Sequence, residues 1–205
     1  FSLEEWKPLK LHQIINHFNC SQESFYQRLT NILPKYFNIK NLFFLRFTHK
    51  ENSLEYRLNK ELHLTQQQTP HANRNHEHYC RRWISIKTIQ DLENSPKGRA
   101  TFGVQVSSYE HEKNEYLVLS SATKDPFKKD INRSVSIGML LSPQLKKKLT
   151  FFKEKTFHKK LVGVTCETCA IENCKERVAE PLRLEKQKKY IEIGNTVNNI
   201  INSFS

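Results

Sequence analysis

Glycine is scarce in this chain, 5 residues in 205, and proline is little commoner at 7. That excludes collagen-like repeats and flexible low-complexity designs, which need both in quantity. No run of apolar residues reaches the ~18 that a membrane-spanning helix requires. No basic stretch followed by an apolar region opens the chain, so a secretory signal peptide is not expected. The motifs of several enzyme classes are missing too: H-E-x-x-H, G-x-S-x-G, the Walker loop and G-x-G-x-x-G. His76-Glu77-His78 has the wrong spacing for two histidines on one helical face, and no cysteine–histidine–asparagine set stands out. Enzymatic function is therefore not expected. The five cysteines cannot all pair, and three lie within nine residues, which is unlike a secreted disulfide framework. A reducing, cytoplasmic compartment is the expectation.

What is present is enough for a core. Hydrophobic residues make up 37%, including 13 Phe, 7 Tyr and 2 Trp, and the length suits one large domain or one and a half. Thirty-three cations against 21 anions give a net charge of +12, which suits a polyanionic partner: nucleic acid, anionic lipid or a phosphorylated small molecule. The chain opens Phe1-Ser2-Leu3 and its one methionine is Met139, so it reads as a fragment with something upstream.

Residues 8–33 read as two helices joined by a tight turn. Leu11, Ile14, Ile15 and Phe18 form one face, Ser21 caps the second helix, and Cys20 staples onto Phe25 as a small buried hydrophobe. Phe18 to Leu29 also has the spacing of a helix-turn-helix, but an ordinary helical hairpin explains the same residues. From Leu42 the pattern changes to strand. Leu42-Phe43-Phe44-Leu45-Arg46-Phe47 is aromatic and β-favouring, Leu54 to Leu58 alternates, and His49 to Ser53 would form the hairpin loop. Residues 63–79 read as a polar surface loop. Further strands are expected at 83–87, 101–109, 115–121 and 133–141. Ser142-Pro143 then starts a helix that buries Leu145, Leu149 and Phe152. Tyr190, Ile193, Val197, Ile200 and Phe204 recur at steps of 3 and 4, marking an amphipathic closing helix expected to pack on its own domain. The fold class is α+β: a mostly antiparallel sheet flanked by helices, with a cysteine-ligated metal site and a C-terminal helix.

Cys166-x2-Cys169-x4-Cys174 is the strongest local signal. Thiolates so close on a turn converge as zinc and iron–sulfur centres require. A fourth ligand is open. Cys80, 86 residues before Cys166 and beside Arg81 and Arg82, leads; His78 or His76 and then Cys20 follow. Four sulfurs suit either Zn²⁺ or a [4Fe–4S] cluster, and the lack of two paired C-x2-C knuckles leans toward iron. A second signal is basic: seven lysines against Glu154 between Ser142 and Lys160, with Lys146-Lys147-Lys148 able to track phosphates or to serve as a solvated helix face. A third, Ser120 to Lys129, offers hydroxyls and cations in a turn that can hold a phosphate, although polar loops are common.

Val162-Gly163-Val164-Thr165-Cys166, the rest of the cysteine triad and Lys175 to Pro181 resemble the C-terminal sensor domain of bacterial short-chain fatty acyl-CoA regulators. Asn41 to Phe47 is similar to that family's aromatic strand, and Cys80-Arg81-Arg82-Trp83 to its C-x-x-W. Glu180 departs from the pattern, standing where a proline or small residue is common. The resemblance implies a parent transcription factor with a DNA-binding helix-turn-helix that these 205 residues do not contain. It further implies a domain that senses a short-chain acyl-CoA and holds a [4Fe–4S] cluster on Cys80, Cys166, Cys169 and Cys174. Arg81, Arg82, Trp83 and Arg177 are then expected at the acyl-CoA site. On this reading 1–40 is an N-terminal helical segment, 41–181 the acyl-CoA-sensing core with its cysteine cluster and 182–205 a C-terminal helix. No membrane partner is expected. DNA is reached through the absent domain, and a homodimer is among the expected partners. A zinc-stabilised nucleic-acid-binding module and a redox-sensing iron–sulfur domain are the alternatives.

Overall fold

Two helices open the fold, α1 (Pro8–His17) and α2 (Gln22–Phe37), in a computed structural model that describes residues 7–64, 77–95, 100–109, 113–149, 152 and 157–203. Pro8 starts α1, where a missing N–H costs nothing. Ser21 Oγ accepts the N–H of Ser24 at 3.0 Å, and Asn38 ends α2 in the left-handed region at φ 53°. Tyr26, Thr30 and Leu33 of α2 are buried, and α2 packs on the sheet, so this helix is a packing element. Cys20 and Phe25 both lie against the same core as half-buried side chains.

Strands β1 (Leu42–Lys50) and β2 (Tyr56–His63) form the expected hairpin. Helix α3 (Ile84–Glu93) follows, then β3 (Thr101–Tyr109), β4 (Glu115–Lys124), β5 (Ile131–Leu140), the short α4 (Pro143–Lys148), β6 (Lys159–Val162) and α5 (Leu182–Ser203). The sheet order is β2-β1-β5-β4-β3-β6; among the described residues every pairing is antiparallel except β3 with β6. No described helix is long and apolar enough to cross a membrane.

Alternation along the strands divides the core in two. Leu42 and Phe44 join Leu117, Leu119, Val135, Ile137 and Met139 beneath α1 and α2. Phe43, Leu45 and Phe47 join Tyr116 and Val118 on the opposite face, with Trp83, Ile86, Ile89 and Leu92 from the α3 region. Because β1 is central and covered on both sides, it reads as a continuous apolar run. Helix α3 can lie close because Gly103 stands beneath it: a Cβ there would sit 2.7 Å from Ile84 Cδ1 and 3.0 Å from Thr88 Cγ2. Polar residues on this interface satisfy one another. Ser136 Oγ donates to Ser120 Oγ at 2.9 Å, while Ser85 and Thr88 hydroxyls join them at 2.7 and 3.0 Å.

Three expectations are corrected. The segment 83–87 is the start of α3 rather than a strand, because Ile86, Ile89 and Leu92 continue a helical stripe that five residues cannot reveal. Ser120 and Ser121 are buried in β4 rather than displayed in a turn. The closing helix α5 does not lay its stripe on its own domain, since every residue from 185 to 203 is exposed. Phe204 and His76 lie outside the described residues, as do 65–76 of the expected polar loop. Ser142 does cap α4, accepting the Leu145 N–H at 3.1 Å. Two of its three lysines make contacts within the chain: Lys148 donates to the Phe37 carbonyl and Lys146 sits 5.9 Å over the Phe152 ring.

Candidate metal and ligand site

Where β6 ends, the chain meets the segment leading into α3. Tyr79 and Thr165 form an isolated antiparallel bridge; Cys80 N–H donates to Val164 O at 3.0 Å and Cys166 N–H to His78 O at 2.8 Å. This short ladder sets Cys80 opposite Val164 and Cys166 opposite His78, so the two cysteines are diagonal neighbours across 86 residues of sequence. Trp83 holds it closed: its indole N–H donates to Gly163 O at 2.8 Å, and its ring meets Phe47 and Tyr79 with centroids 5.8 Å away. Gly163 is needed here, because a Cβ would lie 2.9 Å from Cys169 Sγ.

Carboxylates and an arginine brace the cysteine turn. The Glu167 carboxylate accepts the His78 N–H at 3.0 Å and faces His78 Nδ1 at 2.8 Å. Thr165 Oγ1 donates to Glu77 at 2.7 Å, and the Thr168 hydroxyl lies 2.7 Å from Thr165 Oγ1. Arg177 donates to Cys166 O at 3.0 Å and also to Ile171 O, folding residues 166–177 into a compact knuckle. The first turn of α5 is tied to it, Arg183 N–H donating to Glu167 O at 3.1 Å.

All five cysteines lie among the described residues and none is in a disulfide. Cys80, Cys166 and Cys169 are buried, and Cys174 is half-buried. Burial pushes the Cys80 thiol up to about 11, with Cys169 and Cys166 adding to the rise; backbone N–H groups of Arg82 and Gly163 act in the other direction. Among the described residues no three His, Cys, Asp or Glu side chains are arranged as a metal-binding set. The cysteine sulfurs come from two distant segments, with backbone N–H groups of Arg82 and Gly163 acting on Cys80 and Arg81 nearby, the kind of surroundings that thiolate ligands use. Alkylation of metal-free protein at pH 8 should therefore modify Cys174 well before Cys80. A rise of about two pKa units lowers the thiolate fraction roughly 100-fold, and burial slows the reagent further. Equal rates by peptide mass spectrometry would contradict this environment.

Beside the knuckle is a cleft of about 340 Å³, lined by Leu54, Tyr56, Arg81, Lys175, Arg177 and Val178 among others. Arg81 is buried; its guanidinium stacks 4.3 Å above the Tyr56 ring and donates to Tyr79 O at 3.4 Å and to Leu54 O. Burial lowers its pKa, partly offset by Tyr56 and by Cys166, Cys80 and Glu167. Of the four residues expected at a ligand site, the structure brings Arg81 and Arg177 to this cleft. Trp83 is buried in the core, and Arg82 is half-buried with its Nε unbonded. Lys175, Tyr56, Leu54 and Val178 were not foreseen. Lys175 and Val178 follow Cys174 so closely that the knuckle could have flagged them; Leu54 and Tyr56 carried only a strand signal. Cys20 stands apart from this site, in the core beneath α1 and α2. Comparison with family models, with curated proteins and with solved structures found no match for this chain.

Proposed function

We propose that this chain is the ligand-sensing domain of a bacterial transcriptional regulator, holding a [4Fe–4S] cluster on Cys80, Cys166, Cys169 and Cys174 and taking a short-chain acyl-CoA in the adjoining cleft. The observation that carries the reading is the short ladder at Tyr79–Thr165, which brings the segments of Cys80 and Cys166 together beside a cleft lined by Arg81, Lys175, Glu176 and Arg177. A bound cluster would supply a redox-sensitive link between the two segments. Arg81 and Arg177 lie close enough to the knuckle to offset the negative charge of four thiolates. Lys175, which is exposed, is the cation best placed for a ligand phosphate, while Leu54, Tyr56 and Val178 provide an apolar wall. At 340 Å³ the cleft is near the small end of the ~300–1,000 Å³ range for ligand pockets. It suits a phosphate group or a short acyl end, with the rest of the thioester lying on the surface.

The absorbance spectrum of anaerobically purified protein separates the metals. A shoulder near ~400 nm from thiolate-to-iron charge transfer supports the cluster; a colourless protein with one zinc per chain favours a zinc-stabilised module. In cluster-loaded protein, a short-chain acyl-CoA at ~100 times its Kd should stabilise by about 2.7 kcal/mol, or about 5–10 °C in Tm. Lys175→Ala should remove most of that shift without lowering the unliganded Tm. No shift with any short-chain acyl-CoA would sink the sensor reading.

A further inference from the structure

On the α2 side of the sheet, Arg46, Thr48 and Lys50 alternate along β1, and Arg57 and Lys60 stand beside them on β2. Between the two strands the pairing slips. Arg46 is opposite Lys60 and Phe47 opposite Leu58, so Asn59 is the extra residue of a β-bulge. Asn59 accepts the Thr48 hydroxyl at 2.6 Å and lines two hollows at once. One, of about 540 Å³, runs past Arg46, Arg57 and Lys50 to Phe127 and Lys128 on the β4–β5 turn. The other, of about 520 Å³, runs past Lys60 to Asn31 of α2. Sharing Asn59, they form one trough along residues 55–62, roughly 25 Å at ~3.3 Å per residue.

Charge and one aromatic side chain identify the occupant. Arg46, Lys50, Arg57 and Lys128 line the larger hollow against Glu55 and Asp125, and both carboxylates are already engaged. Glu55 accepts two bonds from Arg57 at 3.0 and 3.1 Å, while Asp125 accepts the N–H groups of Phe127 and Lys128 at 2.9 and 3.2 Å. Glu23 is shared by three cations: Lys60 donates to it, with Arg46 at 3.5 Å and Arg133 at 3.8 Å. Those two distances are too long for hydrogen bonds, and the buried Arg46 Nε has no hydrogen-bond partner among the described residues. Charge alone holds Arg46, so it can turn to a phosphate at little cost. The Asp125 bonds fix the turn that holds out Phe127, whose side chain is 90% exposed. An exposed ring beside cations offers a stacking face to an unpaired base, which a paired one cannot use. We infer that this trough binds single-stranded nucleic acid without sequence preference, with phosphates on Arg46, Lys50, Arg57 and Lys128 and a base on Phe127. Its length matches the ~4 nucleotides at the small end of single-strand sites. The inference rests on neither the cluster nor the acyl-CoA cleft.

Fluorescence anisotropy of the full chain with a labelled oligothymidylate of about 12 nucleotides should give a Kd on the order of 10 μM at ~50 mM salt. With four cations engaged, the logarithm of affinity should fall against that of salt with a slope of about −3. The same strand annealed to oligoadenylate should bind at least about tenfold more weakly, because its bases cannot reach Phe127. Phe127→Ala should weaken single-strand binding about tenfold at an unchanged slope, whereas Arg57→Ala/Lys128→Ala should roughly halve the slope. All three positions are exposed, so both variants should melt with the parent. Lys147→Glu, on the lysine-rich α4, should bind as the parent does. No binding at ~50 mM salt, a duplex bound as tightly as the single strand, parental affinity in Phe127→Ala, or loss of binding in Lys147→Glu would each overturn the inference.

Discussion

Cys80→Ala should lower the metal content of anaerobically purified protein more than about tenfold and strip the visible absorbance. The same change should lower Tm by more than ~10 °C. Packing alone gives far less. Loss of one buried sulfur costs on the order of 1 kcal/mol, or about 2–4 °C for a chain of this size. The excess measures the metal, because a centre absent from the unfolded chain adds its binding energy to folding. On the proposed ligand set, connectivity makes Cys80 the sensitive member. It closes the ladder to Val164, whereas Cys166, Cys169 and Cys174 share one turn that Arg177 also braces. Cys20→Ala should show only the packing loss, since its sulfur packs under α1 and donates weakly to Ile15 O. His78→Ala should retain metal while loosening the Glu167 carboxylate. If Cys80→Ala keeps its full metal content while His78→Ala or Cys20→Ala loses it, the ligand assignment is wrong.

Gly138→Ala should cost about 3 kcal/mol or more and lower Tm by roughly 6–12 °C. Gly138 pairs directly with Phe43 across β1 and β5, and the Phe43 ring lies over it. A Cβ at 138 would fall 2.1, 2.3 and 2.7 Å from three atoms of that ring. The ring cannot yield, because it is buried against Tyr116, with centroids 5.6 Å apart. The cost should shrink in a Phe43→Leu background, where the smaller side chain makes room, giving a coupling of at least ~1 kcal/mol in a double-mutant cycle. Simple additivity, or a Gly138→Ala protein that melts with its parent, would show that the two positions do not press on each other.

The elements that could be read from the residues were those with a local cause. Ser21 and Ser142-Pro143 announce helix starts through their own side chains, and the aromatic run at 42–47 admits little but a strand. Residues 83–87 misled because Ile84 and Ile86, alternating with Ser85 and Lys87, satisfy a period of two as easily as one of 3.6 over so short a window. The stripe on α5 was visible, but its exposure was not: periodicity says that a face is apolar, not whether the domain covers it. That the Cys80 segment meets the Cys166 segment was legible only because thiols are chemically distinctive. The cleft was not, because it exists only where residues 175–178 return to the β1–β2 hairpin, and Leu54 and Tyr56 look like any strand residues until that return is known.

The bond from Arg183 N–H to Glu167 O has a mechanical consequence. It roots a rigid rod of 22 residues, about 33 Å long, on the turn that carries Cys166 and Cys169. A tilt of about 10° at that root sweeps the far end through about 6 Å, comparable to one helical turn. Glu167 also grips His78, two residues from Cys80, so both strands of the ladder feed the same pivot. The knuckle and α5 thus have the geometry of a bearing and its pointer: a displacement at the root too small to disturb the sheet would be multiplied at the opposite end of the helix.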